Sequence, residues 1–103
     1  MINIGNIILD EFPLLLAPME DVSDPPSRAV CKDNGADLMY SEFISSEGLI
    51  RNAIKSRQKL DIFDYERPVG IQIFGGDEEA MAMSARIVET VNPDWLTLIL
   101  GAL

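Results

Sequence analysis

Short apolar runs alternate with helical patterns along this chain, and few architectures accept that order. "LLLAPM" (Leu14 to Met19), "LMYSEFIS" (Leu38 to Ser45) and "VGIQIFG" (Val69 to Gly75) read as strands, as does the terminal "DWLTLIL". They are apolar almost throughout rather than on alternate residues, so both faces of the sheet need covering. Helices between such strands supply that cover and imply a parallel α/β sheet. Right-handed crossovers then leave two forms, an open doubly wound sheet or part of a (βα)8 TIM barrel. The leading "INIGNIIL" reads as a small hairpin or strand capping the bottom of the first strand, a feature more at home on a barrel.

The helical stretches carry their own punctuation. In "DPPSRAVCKDNGA", Asp24 is the N-cap candidate, the prolines fill the first turn, Ala29 and Val30 are apolar, and Gly35 is the stop. In "DEEAMAMSARIVETVNPD", Asp77 caps, and Glu78 and Glu79 sit where the helix dipole favours anions. Ala80, Met83, Ile87 and Val91 share one face there, and Asn92 and Pro93 end the helix. The middle segment, "SSEGLIRNAIKSRQKLDIFDYERP", predicts a helix from near Ser46 to about Lys59 and then a loop into the third strand.

Composition closes off several function classes. A chain of 103 residues holds one domain, and 48% hydrophobic with 24% charged residues is a globular composition. A net charge of -9 with only eight scattered Lys and Arg argues against independent nucleic-acid binding, because phosphates need clustered cations. Cys31 has no partner for an internal disulfide, and without His the usual metal-ligand spacings are missing, so no metal is expected. The N-terminus has no basic n-region and carries Asp10, Glu11 and Pro13, so it does not read as a signal peptide. The run from Trp95 to Leu103 is too short to cross a bilayer, and the cytoplasm is the expected compartment.

In either architecture, function gathers at the carboxyl ends of the strands, here "APMEDVSD", "SEFISS" and "FGGDEE". At Pro18 and Met19 the chain leaves the first strand, where backbone groups free of the ladder can meet a planar heterocycle or form an ordinary turn. Gln72 sits among apolar residues of the third strand, and its amide needs matching, by a flavin edge or by neighbouring backbone. Glu42 is either an active-site carboxylate or, more simply, an acid salt-bridged to Arg28 or Arg67. "FGGDEE" lacks the full phosphate-loop pattern, and its three acids would repel phosphate. Cys31 has no neighbouring base and reads as a packed side chain rather than a nucleophile.

Taken together, "APMEDVSDPPSR", "GADLMYSEFIS", "FDYERPVGIQIFGGD" and "ARIVETVNPDW" resemble the tRNA-dihydrouridine synthases from about Ile4 to Trp95. The resemblance implies the N-terminal half of an FMN-dependent (βα)8 barrel whose enzymes reduce a uridine of tRNA with NADPH. It assigns Pro18, Met19 and Glu20 to a segment that touches FMN, and Gln72 to a hydrogen bond with the isoalloxazine. Ser27 departs from the aromatic residue common in that family, which exchanges a packed ring for a hydroxyl.

The larger departure follows Trp95. The family pattern would continue "IDINFGCPV", with an asparagine at position 99 and the catalytic cysteine, a proton donor, at position 102; this chain has Ile99 and Ala102. One allowed set of codons for the residues present, TTG ACA TTA ATT TTG GGT GCC CTG, would read as I-D-I-N-F-G-C-P once a single A is restored in front. Loss of one nucleotide after the Trp95 codon would therefore account for residues 96–103, and a valine codon GTA followed by A would then read as a stop.

The expectation is a partial FMN-binding barrel over residues 1–103 that lacks its later cofactor-gripping residues. Such a chain should bind FMN weakly or not at all, turn over no uridine and self-associate through open strand edges. The alternatives are another FMN-dependent TIM-barrel oxidoreductase, against which "DYERPVGIQIFG" argues, and a non-catalytic half-barrel that dimerises.

Overall fold

A computed structural model describes residues 1–101. An antiparallel hairpin, β1 (Ile2–Ile4) and β2 (Ile7–Leu9), comes first, turned through Gly5 at φ +57°. The main sheet is parallel throughout and comprises β3 (Leu15–Leu16), β4 (Leu38–Tyr40), β5 (Ile44–Ser45), β6 (Val69–Gly75) and β7 (Trp95–Leu100). β3 pairs with β4, both β4 and β5 pair with β6, and β7 pairs with the other edge of β6. Chain order and spatial order therefore agree, without the reversal of a doubly wound sheet. The fold is a partial TIM barrel.

The hairpin lies across the amino-terminal ends of the parallel strands. Its Ile7, Ile8 and Leu9 share a cleft of about 410 Å³ with Asp37, Pro68 and Asp94, the residues that lead into β4, β6 and β7. Asp94 ties this end together, because its Oδ2 accepts the Val69 N–H at 2.8 Å and faces Arg67 at 3.1 Å. Hydrogen bonding to Asp64, with Asp94 close by, holds the Arg67 guanidinium even more firmly protonated than usual.

Three strand and helix readings are corrected. The first strand shrinks to Leu15–Leu16, an edge pair with β4 alone, ending before Pro18. The second strand divides into β4 and β5. From Tyr40 to Ile44 it advances four residues while β6 advances three, from Gly70 to Ile73, which defines a β-bulge over residues 41–43. The middle helix divides into α2 (Ser46–Ile50) and α3 (Ile54–Gln58), because Asn52 takes a left-handed φ of +58° between them.

The other two helices keep their expected ends. α1 (Pro25–Asp33) is capped by Asp24, whose Oδ1 accepts the Ser27 N–H at 3.0 Å, and Gly35 follows it at φ +101°. α4 (Glu78–Glu89) is capped by Asp77, which accepts the Ala80 N–H at 2.9 Å. Its buried stripe is Ala80, Met81, Ser84 and Val88, whereas Met83, expected inside, is half exposed. The stripe runs through a serine because the Ser84 hydroxyl donates to the Ser46 carbonyl at 3.1 Å, which makes its burial tolerable.

The core sits between the outer face of the sheet and helices α2 and α4. Ile71 and Ile73 of β6 meet Ile44, Leu49, Leu60, Met81 and Val88 there. Full burial of each such side chain is worth about 1.5–3 kcal/mol. Underneath α1, the Arg28 guanidinium pairs with Glu66 and donates to the carbonyls of Ser23 and Asp61, so one buried side chain fastens the helix to the loop before β6.

Candidate functional site

Strand alternation divides β6 between two surfaces. Val69, Ile71 and Ile73 face the helices and are buried, while Gly70, Gln72 and Phe74 face the barrel interior. The register places Trp95, Thr97 and Ile99 of β7 opposite those three, and Tyr40 beside Gly70. Gly70 is required by its neighbours, because a Cβ there would run into the Trp95 indole. Over it, Tyr40 and Trp95 meet edge to face, with ring centroids 5.1 Å apart and an interplanar angle of 88°. Phe43 and Phe74 form a second such pair nearer the carboxyl ends.

This interior surface carries unmatched hydrogen-bonding capacity. Trp95 Nε1 and Thr97 Oγ1 are shut off from water without a hydrogen-bond partner among the described residues. Gln72 is half-buried directly opposite Thr97. A donor, a hydroxyl and an amide thus line neighbouring rows of two adjacent strands. Trp95 Nε1 and Thr97 Oγ1 are packed out of reach, so the half-buried Gln72 amide is the group a polar ligand can meet.

At the exit of β3, Pro18 is half-buried and Met19 is 40% exposed. The Met19 backbone is occupied by a turn. Its N–H donates to Ser23 Oγ at 2.7 Å, and its carbonyl accepts from the Ser23 N–H at 2.9 Å and the Ser23 hydroxyl at 2.8 Å. What Met19 can offer a planar ring is therefore its side chain rather than free backbone groups. Asp21 follows at φ +60°, and the loop then enters the Asp24 cap, where bonds from Ser27 keep the Asp24 carboxyl below the usual aspartate range.

Glu20 and Glu42 come together through a residue that the spacing did not mark. Lys59 Nζ lies 3.9 Å from Glu20 Oε1 and 3.8 Å from Glu42 Oε2. Glu42 is therefore paired with neither Arg28 nor Arg67. Arg28 is taken by Glu66, and Arg67 by Asp64 and Asp94. Glu42 reaches Lys59 because the bulge lifts it out of the ladder, and Lys59 is brought near by the break at Asn52. The three side chains line a cleft of about 560 Å³ that also includes Asp24, Lys55 and Asp61.

The structure thus joins Glu20 to Glu42, and it sets Gln72 beside Thr97 and Trp95. Pro18 and Met19 lie at the same carboxyl-terminal end of the sheet as the cleft. Cys31 is a free, half-buried thiol on α1. Asp77 already caps the helix behind "FGGDEE", in line with rejecting a phosphate loop there. Position 102, where the family cysteine was sought and Ala102 stands, lies outside the described residues. Among the described residues, no helix is long and apolar enough to cross a membrane.

Comparison with known proteins adds a second line of observation. A family model described as dihydrouridine synthase matches residues 15–98. A probable tRNA-dihydrouridine synthase of Aquifex aeolicus is 36% identical over 90 residues, which cover 85% of this chain and 28% of that protein. tRNA-dihydrouridine synthase B of Pseudomonas syringae is 41% identical over 73 residues, covering 71% of this chain and 22% of the relative. A probable tRNA-dihydrouridine synthase of Rickettsia prowazekii is 35% identical over 102 residues, 98% of this chain and 31% of its own length. The chain spans less than a third of each of these curated relatives.

Proposed function

Because this chain belongs to the dihydrouridine synthase family, we propose that it supplies the first strands of a flavin-binding barrel that reduces uridine in tRNA to dihydrouridine. The observation that carries the cofactor reading is Gln72, a half-buried amide on the interior face of β6 between Gly70 and Phe74. Its amide offers both a donor and an acceptor to the alternating groups of an isoalloxazine edge. Bound FMN would carry electrons from NADPH to the uracil ring.

Within this proposal, Gln72 hydrogen-bonds the flavin, while the side chains of Pro18 and Met19 pack against it from the exit of β3. Glu20 stands at the rim, held by Lys59. The tRNA is the substrate of the intact enzyme, which places its work in the cytoplasm. The acidic balance of this chain, -9, leaves most of the phosphate contact to segments beyond it.

The out-of-frame reading of residues 96–103 belongs to the same proposal. Positions 97 and 99 face the interior beside Gln72 and Phe74. The family pattern would place an aspartate and an asparagine there, where this chain has Thr97 and Ile99. With these polar groups missing, the chain alone binds FMN loosely and reduces no uridine. The nucleotide sequence after the Trp95 codon tests this part directly, since codons incompatible with the one-base shift exclude it.

The cofactor reading is tested by titrating FMN into the chain and following flavin fluorescence. Weak saturable quenching that Gln72→Leu removes is the expected result. A tight, stoichiometric yellow complex would contradict the incomplete-site reading, and quenching indifferent to Gln72→Leu would contradict the placement of the flavin.

A further inference from the structure

Ser23 is sealed in the loop after β3, with 1% of its surface exposed, and its hydroxyl acts in both directions on one neighbour. Oγ accepts the Met19 N–H at 2.7 Å and donates to the Met19 carbonyl at 2.8 Å. The Ser23 N–H adds a third bond, to the same carbonyl, at 2.9 Å. Shielded from water, these bonds hold both polar groups of the Met19 backbone in place.

The Ser23 hydroxyl is not needed to start the helix that follows. α1 is capped by the next residue, Asp24, through the Ser27 N–H. The Ser23 carbonyl is anchored separately, accepting from Arg28 Nη1 at 2.7 Å. Arg28 in turn grips Glu66, shortly ahead of β6. A continuous run of buried bonds therefore leads from the approach to β6, the strand that carries Gln72, to the Met19 backbone at the exit of β3.

Without the hydroxyl this exit would be loosely held. β3 ends at Leu16, Pro18 has no N–H to donate, and Asp21 turns the chain at φ +60°. The methionine side chain is itself pliant, with three rotatable bonds, and that of Met19 stays 40% exposed at the carboxyl end of the sheet. Fixing its N–H and carbonyl fixes the direction of its Cα–Cβ bond. Only the side-chain rotamer is then left to settle on a ligand.

We propose that Ser23 is a positioning residue for the cofactor: its hydroxyl aims Met19 at the flavin ring and lowers the ordering cost of binding, without touching the ring itself. The inference rests on the flavin reading above for the identity of the ring. It adds the residue through which Arg28 and Glu66 tie the Met19 contact to the strand of Gln72.

The test uses the full chain with 13C-labelled methionine methyl groups and 15N-labelled amides, titrated with FMN. Among the methionines, the buried Met39 and Met81 report whether the core is intact. In the parent, FMN should shift the Met19 methyl and the Gln72 side-chain amide together. Ser23→Ala keeps the backbone bond to Met19 and the anchor on Arg28, so Met39 and Met81 should stay where they are. The Met19 amide should exchange with solvent about tenfold faster, FMN should bind about tenfold more weakly, and the Met19 methyl should lose most of its shift. Ser23→Thr, which restores a hydroxyl, should recover all three.

An undiminished Met19 shift in Ser23→Ala would overturn the proposal. So would Met39 and Met81 moving in step with Met19, the mark of a residue that only supports the fold. In the parent, movement of the Gln72 amide while the Met19 methyl stays still would overturn this inference alone and leave the flavin at Gln72. Silence at both would overturn the flavin reading together with this inference.

Discussion

The Arg28 guanidinium and the Glu66 carboxylate meet at two points, Nε to Oε1 at 2.6 Å and Nη2 to Oε2 at 3.2 Å, with both side chains sealed from water. Glu66 also accepts the Phe63 N–H at 3.0 Å, so the pair joins α1 to the start of the loop before β6. Breaking one half leaves the other charged and buried. Glu66→Gln should therefore lower stability by about 3–5 kcal/mol, read as a drop in the urea midpoint. Arg28→Met with Glu66→Gln should cost less than the sum of the single changes, because the double variant strands no charge. Additive costs would show that the two residues do not act as a pair.

Gly70 and Trp95 make a second, independent prediction. The indole occupies the space a Cβ would need, and Trp95 is the only tryptophan in the chain. Gly70→Ala should push the ring aside, loosen its edge contact with Tyr40 and cost about 1–3 kcal/mol. Trp95 emission should shift to the red as the ring gains water. An unchanged spectrum with unchanged stability would mean the ring does not sit over Gly70.

These sites differ in how far the sequence announced them. Helix ends were legible because each is set by one local residue: Asp24 and Asp77 cap, Gly35 stops, and Asn92 takes φ +53° after α4. The parallel order of the strands was legible from their unbroken apolarity. The bulge at residues 41–43 was not, because a register slip is fixed by the partner strand and leaves no mark on "LMYSEFIS". The pairing of Glu42 followed from that slip and from the break at Asn52, so the choice between Arg28 and Arg67 missed Lys59. Gln72 was recognisable as an amide among apolar residues, whereas Thr97 and Trp95 became its neighbours only through the register of β7.

The Asp24 cap gives a pH dependence with a definite sign. Ser27, through its hydroxyl and its N–H, holds the carboxyl below its usual value, with Arg28 adding attraction. A folded-state value below the unfolded one means the cap contributes fully above the ordinary aspartate value of about 3.9. Its contribution is then lost as pH falls through the lower, folded-state value. Asp24→Asn keeps a capping oxygen but removes the titration. Below about pH 4, stability of the variant should fall less steeply than that of the parent, as followed by circular dichroism. Parallel curves would show that Asp24 does not titrate differently on folding.

The free edge of β7 leads to the last prediction. Among the described residues β7 pairs with β6 alone, and on its helix-side face Leu98 is 52% exposed and Leu100 74%. An unpaired edge next to exposed leucines is a template for strand addition by a second copy. The β3 edge adds Leu14 and Leu15, both about half exposed or more. Self-association should therefore appear in size-exclusion chromatography as concentration-dependent early elution. Leu98→Lys, which places a charge on the open face without touching the core against α4, should move the protein toward a monomer. If elution is concentration-independent for the parent, or if Leu98→Lys leaves association unchanged, the β7 edge is not the contact surface.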